Sequence, residues 1–280
     1  MWNLIISEWK KLRRCQILLV GIVALALCPA AQYGTQLLID PALRDPHFDF
    51  ARLFASVIWG NTQIFLPISL VMTGGWLIDR ERSHDTMKNL LTVPVSYPKL
   101  LTAKLAVMAL LALLAGIYSS AATVLIGILA GVPGLSPLLA VRQGMQVTAA
   151  ALTTYLACTP LILLFGQLRN AYLGGSILTF FLAYCILFFK SGVLLSAYPF
   201  CAALVLTGFD MAAYNGAAEP PSVTLALIGM EAALAATAAI LLLSRPAKNE
   251  KAARGRRTSG EKPRYGTAYL EVILHGSRRR

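Results

Sequence analysis

The chain has 280 residues, of which 57% are hydrophobic and 14% charged, with a mean hydropathy of +0.64 and a formal net charge of +12. This balance excludes an ordinary cytosolic enzyme, because soluble domains carry about 25% charged residues. The positive charge does not indicate nucleic-acid binding, since Lys and Arg lie almost wholly outside the apolar runs; we expect it to orient the chain in a membrane.

Residues 1–14 predict an amphipathic helix at the membrane surface. Lys10, Lys11 and Arg14 lie mostly opposite an apolar helical face, the arrangement expected of an interfacial helix. The apolar face holds Trp2, Ile5, Ile6, Trp9 and Leu12. The alternative is a basic flank that only anchors the first span.

Long uncharged runs follow, and a helix needs about 20 apolar residues to cross the hydrocarbon core. We predict six spans at about 15–39, 53–78, within 100–131, 143–166, 171–189 and 222–244. The predicted fold is therefore an all-α, polytopic membrane protein whose six-span transmembrane domain covers residues 15–244. A cleavable signal peptide is not expected, because the first run is too long for one.

The segment 191–209 is uncharged but contains Pro199 and several Gly and Ser residues. If it does not cross, one face of the membrane carries all but four of the 25 Lys and Arg residues, as the positive-inside rule requires of the cytoplasmic face. The four exceptions are Arg44, Arg52, Arg142 and Lys190. We therefore predict that 191–209 is a re-entrant or surface-lying helical hairpin on the outer face. Both termini are then cytoplasmic, and the basic tail 245–280 is expected to be mostly disordered.

Catalytic and cofactor signatures are missing from the sequence. It has no GxxxxGK[ST] phosphate loop, no HExxH and no GxSxG, and its three histidines lie far apart. The five cysteines lie in or beside apolar runs without a CxxC pair, which favours small buried side chains over disulfides or metal ligands. We expect no metal, no cofactor and no ATP hydrolysis by this chain, so that any energy for transport comes from another protein.

The stretch 79–104, DRERSHDTMKNLLTVPVSYPKLLTAK, is the most informative one between spans. Its opening acidic and basic residues balance, whereas a lipid-facing surface would favour excess Lys and Arg. Balanced charge followed by apolar residues is typical of a short amphipathic helix that docks on a protein, here at about 79–93, and Pro94 would end it. Spacing alone favours a solvated loop equally.

Together with the N-terminal SEWKKLRR, this stretch resembles the ABC-2 type permeases, most closely those of lantibiotic and bacitracin immunity transporters. In that family an acidic residue and a Thr-x-Lys-x-Leu-Leu-x-x-Pro-Val-Ser run form a cytoplasmic coupling helix. The matching positions are Glu81, Thr86, Lys88, Leu90, Leu91, Pro94, Val95 and Ser96, with Lys104 opening the third span. We assign ATPase coupling to Glu81, Asp85, Thr86, Lys88, Leu90 and Leu91.

The resemblance implies a permease subunit of an ATP-binding cassette exporter in a bacterial plasma membrane. Its implied partners are an ABC ATPase subunit, a second permease that is identical or paralogous, and membrane lipids, without nucleic acid. The implied substrate is a peptide antibiotic or a similar amphipathic compound. A secondary transporter and a membrane-embedded enzyme are the alternatives; the first should show repeated halves with broken helices, and the second a cluster of His, Asp or Ser near a membrane face.

Glu231 interrupts the last predicted span. A carboxylate in hydrocarbon costs at least a few kcal/mol unless it is paired or protonated, so we expect Glu231 to face the helix bundle or a wet cavity. Either it belongs to the translocation path or it makes a structural hydrogen bond to a neighbouring helix.

Overall fold

The computed structural model describes residues 2–12, 16–40, 47–83, 96–217 and 219–244, and these form helices joined by turns. The helices are α1 Trp2–Leu12, α2 Gln16–Leu38, α3 Phe50–Gly60, α4 Leu66–Ser83, α5 Tyr97–Leu129, α6 Pro137–Gln167, α7 Tyr172–Tyr184, α8 Val193–Ala197, α9 Pro199–Val205, α10 Ala212–Asn215 and α11 Val223–Leu243. A π-helical turn, Asn61–Phe65, joins α3 to α4, and a 3₁₀ turn, Cys185–Phe188, extends α7. The all-helical class predicted from the sequence is confirmed for this part of the chain.

Five continuous helical segments in the described residues are long and apolar enough to cross a membrane. They are Ile17–Leu38, Phe50–Arg80, Tyr97–Leu129, Pro137–Gln167 and Val223–Leu243. The predicted fifth span corresponds to a shorter apolar segment, Tyr172–Phe188. The predicted surface helix at the N-terminus is helical over Trp2–Leu12.

The second long segment contains a π-helical turn for a reason that the sequence supplies. Pro67 has no N–H, so it cannot bond the carbonyl of Gln63 as an α-helix requires. The chain widens by one residue just before it, and the Leu66 N–H bonds the Asn61 carbonyl five residues back. At the start of this segment, the Asp49 carboxylate caps α3 by accepting the Arg52 N–H at 2.9 Å.

The core lies between α3, α4, α5 and α6, where Phe54, Met108 and Ile162 are almost fully buried. The Tyr155 hydroxyl of α6 donates to the Leu105 carbonyl of α5 at 2.6 Å. In contrast, only 17% of the most apolar window of α2 and 28% of that of α11 is buried. The outermost helices therefore leave wide apolar faces for lipid or for other proteins.

Hydrogen bonds between loops and helix ends define two opposite ends of the bundle. At one, the Tyr33 hydroxyl donates to the Ala130 carbonyl at 3.3 Å, and the Phe50 N–H to the Pro133 carbonyl at 3.0 Å. We call it the hairpin end. At the other, which we call the α1 end, contacts join the end of α4 to the start of α5, the end of α4 to the α6–α7 link, and the end of α6 to the end of α11. These contacts are Lys104 to Leu77, Asn170 to Asp79, and Ser244 to Gln167.

The segment 191–209 contains no helix long enough to cross a membrane. Its two helices, α8 and α9, have five and seven residues, and the chain turns between them at Tyr198. They pack between the hairpin end and the middle of α6. The Ser222 N–H before α11 donates to the Ser196 hydroxyl at 2.8 Å, and the Thr153 hydroxyl, halfway along α6, donates to the Ala203 carbonyl at 2.9 Å.

Candidate ATPase-coupling site

Helix α1 packs against α4 and α5 through a small apolar cluster at the α1 end. Leu12, Leu77 and Val107, one from each helix, are the buried centre of this cluster. Partly buried side chains surround them: Ile5, Trp9, Leu18, Trp76 and Leu111. Most of the apolar stripe predicted for residues 2–12 therefore contacts protein, although Ile6 is 38% exposed.

A buried ion pair lies beside this cluster. The Lys104 ammonium of α5 donates to Glu8 Oε2 of α1 at 2.9 Å, and both side chains are only 2% exposed. The same ammonium donates to the Leu77 carbonyl of α4 at 2.8 Å. One side chain therefore connects α1, α4 and α5.

The Lys104 contact lies next to the segment predicted to couple the chain to an ATPase. Leu77 lies in the last two turns of α4 and Lys104 in the first turns of α5, so Lys104 joins the two helices that flank residues 84–95. Removing one partner of a buried ion pair typically costs about 3–5 kcal/mol, because the other charge is left uncompensated. Loss of either charge alone is therefore expected to destabilise the contact between the two flanks and α1.

The end of α4 is also attached to the α6–α7 link. The Asp79 carboxylate, 3% exposed, accepts the Asn170 N–H at 3.4 Å, and the Arg80 guanidinium lies 5.2 Å from the centre of the Trp76 ring. Asn170 has a φ of 54°, a left-handed conformation that Asn adopts more readily than most residues.

Two glycines let α4 approach its neighbours closely. A Cβ on Gly74 would lie 2.7 Å from Ile162 Cγ2 of α6, and one on Gly75 would lie 2.8 Å from the Tyr172 Cβ of α7. Such distances leave no room for a larger residue without a shift of the helices. At these two positions α4 is therefore packed directly against α6 and α7.

The predicted coupling helix is only partly within the described residues. Residues 79–83 continue α4, so the expectation of a separate helix beginning at 79 is wrong: the α-helical hydrogen-bonding pattern of the second span continues without a break to Ser83. Glu81 belongs to the last turn of α4. Asp85, Thr86, Lys88, Leu90 and Leu91, with Pro94 and Val95, lie outside the described residues, and their assigned roles stay predictions.

Glu231 does not face its own helix bundle; the other expectation, that it faces a wet cavity, stays a prediction. The buried side of α11 is formed by Ala226, Met230, Ala233 and Thr237, at helical spacing, with Gly229 against Ala197. Glu231 lies about half a turn from Gly229 and Ala233 and is exposed. The bundle packs on small residues on one side of α11, which leaves the carboxylate on the other.

A second polar cluster lies at the π-helical turn, in the buried interior. The Asn61 amide donates to the Ser119 hydroxyl of α5 at 2.8 Å, and the Thr154 hydroxyl of α6 donates to that of Thr62 at 3.4 Å. These contacts join the second span to α5 and α6 where its hydrogen-bonding pattern changes. Among the described residues, no group of three or more His, Cys, Asp or Glu side chains is placed to hold a metal ion.

Glu8 and its pairing with Lys104 were not predicted from the sequence. A signal was present, because Glu8 falls three residues after Ile5 and four before Leu12, on the apolar face of α1. A carboxylate within such a stripe indicates a buried partner. The partner, 96 residues away, was not identifiable from periodicity.

A known protein family matches the part of the chain that carries this site. The family described as "ABC-2 family transporter protein" matches residues 4–186. The matched residues include most of α1, both partners of the Glu8–Lys104 pair and the predicted coupling helix. Searches of curated proteins and of solved structures found no match. Because the family model covers more than half of the chain, the chain belongs to the ABC-2 family and is a membrane permease of an ATP-binding cassette transporter, which implies an ATPase partner.

Proposed function

We propose that this chain is the permease subunit of an exporter, that it crosses a bacterial plasma membrane six times, and that its ATPase subunit docks on residues 84–95 at the α1 end. The observation that carries the proposal is the Lys104 contact, which joins both flanks of that segment to α1. Family membership favours this function over the secondary transporter and the membrane enzyme.

The positions of the helix ends support six crossings. The Glu8 and Ser244 contacts both lie at the α1 end. A segment that begins and ends on one side of a membrane crosses it an even number of times between those two points. Five helical segments are long enough to be membrane spans, which is an odd number. In this proposal the shorter segment Tyr172–Phe188 is the sixth crossing. Its 17 residues reach about 25 Å, which suits a thin or locally thinned bilayer.

The cytoplasmic side is assigned from charge. If the chain crosses six times as proposed, all but four of the 25 Lys and Arg residues of the sequence fall on the side of the α1 end. Since cytoplasmic loops of membrane proteins are enriched in Lys and Arg, we place the α1 end in the cytoplasm and the 191–209 hairpin at the outer face, as a re-entrant or surface-lying element.

The proposed coupling mechanism depends on the two helices, α4 and α5, that flank residues 84–95. When the ATPase subunits bind ATP and close, they displace this segment, and α4 and α5 move with it because both flank it. The Lys104 contact makes α1 move with them, and the close contacts at Gly74 and Gly75 carry α6 and α7 along. The π-helical turn Asn61–Phe65 is where the second span can bend, since π-bulges are common sites of helix kinks.

The substrate we propose is an amphipathic compound, such as a peptide antibiotic, removed from the membrane as a form of self-protection. The resemblance of residues 79–104 to immunity permeases supports this choice. The wide exposed apolar faces of α2 and α11 support pairing with a second permease, identical or paralogous.

The test is to capture the full-length tagged chain from native membranes and identify its partner by mass spectrometry. We expect a protein with an ATP-binding cassette. Glu81→Lys should abolish its co-purification and also abolish resistance to a lantibiotic or to bacitracin. The control is Lys190→Glu, the same type of charge reversal at the hairpin end, which should retain both. Equal recovery of the ATPase with both variants would contradict docking at the α1 end.

A further inference from the structure

Among the described residues, two buried side-chain polar atoms have no hydrogen-bond partner in the protein, and both belong to the π-helical turn Asn61–Phe65. They are Asn61 Oδ1 and Gln63 Nε2. The two side chains are only 2% and 4% exposed. By contrast, the buried Thr159 hydroxyl of α6 bonds the Thr237 hydroxyl of α11 at 2.8 Å. The two unpaired amide atoms are therefore a feature of this turn.

The depth of the turn in the membrane makes unpaired amide atoms costly. Asn61 is the twelfth residue of the 31-residue segment Phe50–Arg80, about 17 Å from its first residue. The segment is about 45 Å long and the hydrocarbon core about 30 Å thick, so the turn lies inside the core wherever the core falls along the segment. A polar group without a hydrogen bond is unfavourable in such surroundings. Each of the two atoms therefore needs a partner from outside the chain.

A different orientation of the amides does not remove this need. The Asn61 Nδ2 donates to the Ser119 hydroxyl at 2.8 Å. If this amide were turned by 180°, Oδ1 would accept from Ser119, and Nδ2 would be the unpaired atom instead. Gln63 lies about half a helical turn from Asn61, on the other side of the helix, so the two amides cannot pair with each other. A separate partner is needed on each side of the turn.

The space and the chemistry beside Asn61 fit a water molecule. A Cβ on Gly60 would overlap the Gln32 side chain and lie 3.4 Å from Cys28 Sγ, so the helices pack closely here and a large ligand does not fit. The oxygen and nitrogen of one amide are about 2.2 Å apart, which places Ser119 Oγ at most about 5 Å from Asn61 Oδ1. One water molecule can bridge two such atoms at about 2.8 Å from each.

We propose that the π-helical turn binds internal water molecules, at least one on each side, which pair with Asn61 Oδ1 and Gln63 Nε2. Water donates and accepts hydrogen bonds, so it satisfies both the unpaired acceptor and the unpaired donor. Water also exchanges partners at little cost, so the second span can bend at this turn without leaving its amides unpaired. The site is independent of the proposed function, because it needs neither an ATPase nor a transported compound.

The direct test is an experimental structure of the full-length chain in lipid nanodiscs, at a resolution that shows ordered water. We expect one water molecule within about 3.2 Å of Asn61 Oδ1 and another within about 3.2 Å of Gln63 Nε2. A direct bond from the protein to either atom would overturn the proposal. So would the lack of water density beside either atom in a map that shows other ordered waters.

Radiolytic oxidation in the same nanodiscs tests the site in solution, because hydroxyl radicals formed from a bound water oxidise the side chains beside it. Phe65 of the turn should be oxidised in the unaltered chain, and Phe54, which is 0% exposed in the apolar core, should not. The double variant Asn61→Leu, Gln63→Leu removes both amides and should reduce Phe65 oxidation to the level of Phe54.

The control variant for this experiment is Thr159→Val, which removes a buried hydroxyl that already has a protein partner. Oxidation of Phe65 should be unchanged in this variant. Equal oxidation of Phe65 in the unaltered chain and in the double variant would overturn the proposal.

Discussion

Removing one charge of the Glu8–Lys104 pair should destabilise the protein more than removing both charges. The pair is 2% exposed on both sides, and its N–O distance is 2.9 Å. Lys104→Met leaves the Glu8 carboxylate without this partner, which should cost about 3 kcal/mol or more. The double variant Glu8→Leu, Lys104→Met replaces the pair by apolar groups and should be near neutral or slightly stabilising.

Unfolding can be followed in detergent with a dye that fluoresces on reaction with thiols, because Cys28, Cys158 and Cys201 are buried in the folded chain. For a chain of this size, 3 kcal/mol corresponds to a fall in Tm of about 6–12 °C. Exchange of the two residues, Glu8→Lys with Lys104→Glu, should recover only part of the loss, because a carboxylate at 104 cannot donate to the Leu77 carbonyl. Equal Tm values for Lys104→Met and the double variant would refute the reasoning.

Three further predictions concern the whole chain. Purified free of other subunits, it should neither bind nor hydrolyse ATP in a nucleotide-binding and phosphate-release assay, since it has no phosphate-binding loop. In a cysteine-free background, an impermeant thiol reagent should label Glu219→Cys, an exposed position, in intact cells. The same reagent should label Ser259→Cys only after the membrane is opened. Labelling of Ser259→Cys from outside would refute six crossings. Gly74→Ala should lower the Tm because its Cβ would meet Ile162, whereas Gly34→Ala, with open space and a better helix former, should not; equal shifts would refute the close packing of α4.

The sequence was informative where burial and helix length have a direct signature in hydropathy. The uncharged runs predicted the five long helices to within a few residues at most ends, because an apolar run of that length has few alternatives to a helix in a membrane.

What the sequence did not predict depends on contacts between distant residues. The bond from Lys104 to Glu8 spans 96 positions, and no local pattern specifies it. The sequence did not predict which side of α11 carries Glu231, because the energetic cost of a carboxylate in hydrocarbon does not say where its surroundings relieve that cost. The predicted start of the coupling helix at residue 79 was wrong. The first charged residues were assumed to mark the end of the second span, whereas α4 continues beyond its apolar part to Ser83.

Site-specific photo-crosslinking tests the central claim most directly. A benzoylphenylalanine residue is introduced at Leu90, in the coupling segment, or at Phe188, which is 75% exposed at the hairpin end. Living cells are irradiated, and the adducts of the tagged chain are identified by mass spectrometry. If the ATPase docks at the α1 end, we expect an adduct with an ABC ATPase from position 90 and none from position 188. An ATPase adduct from position 188, with none from position 90, would contradict coupling through the α1 end.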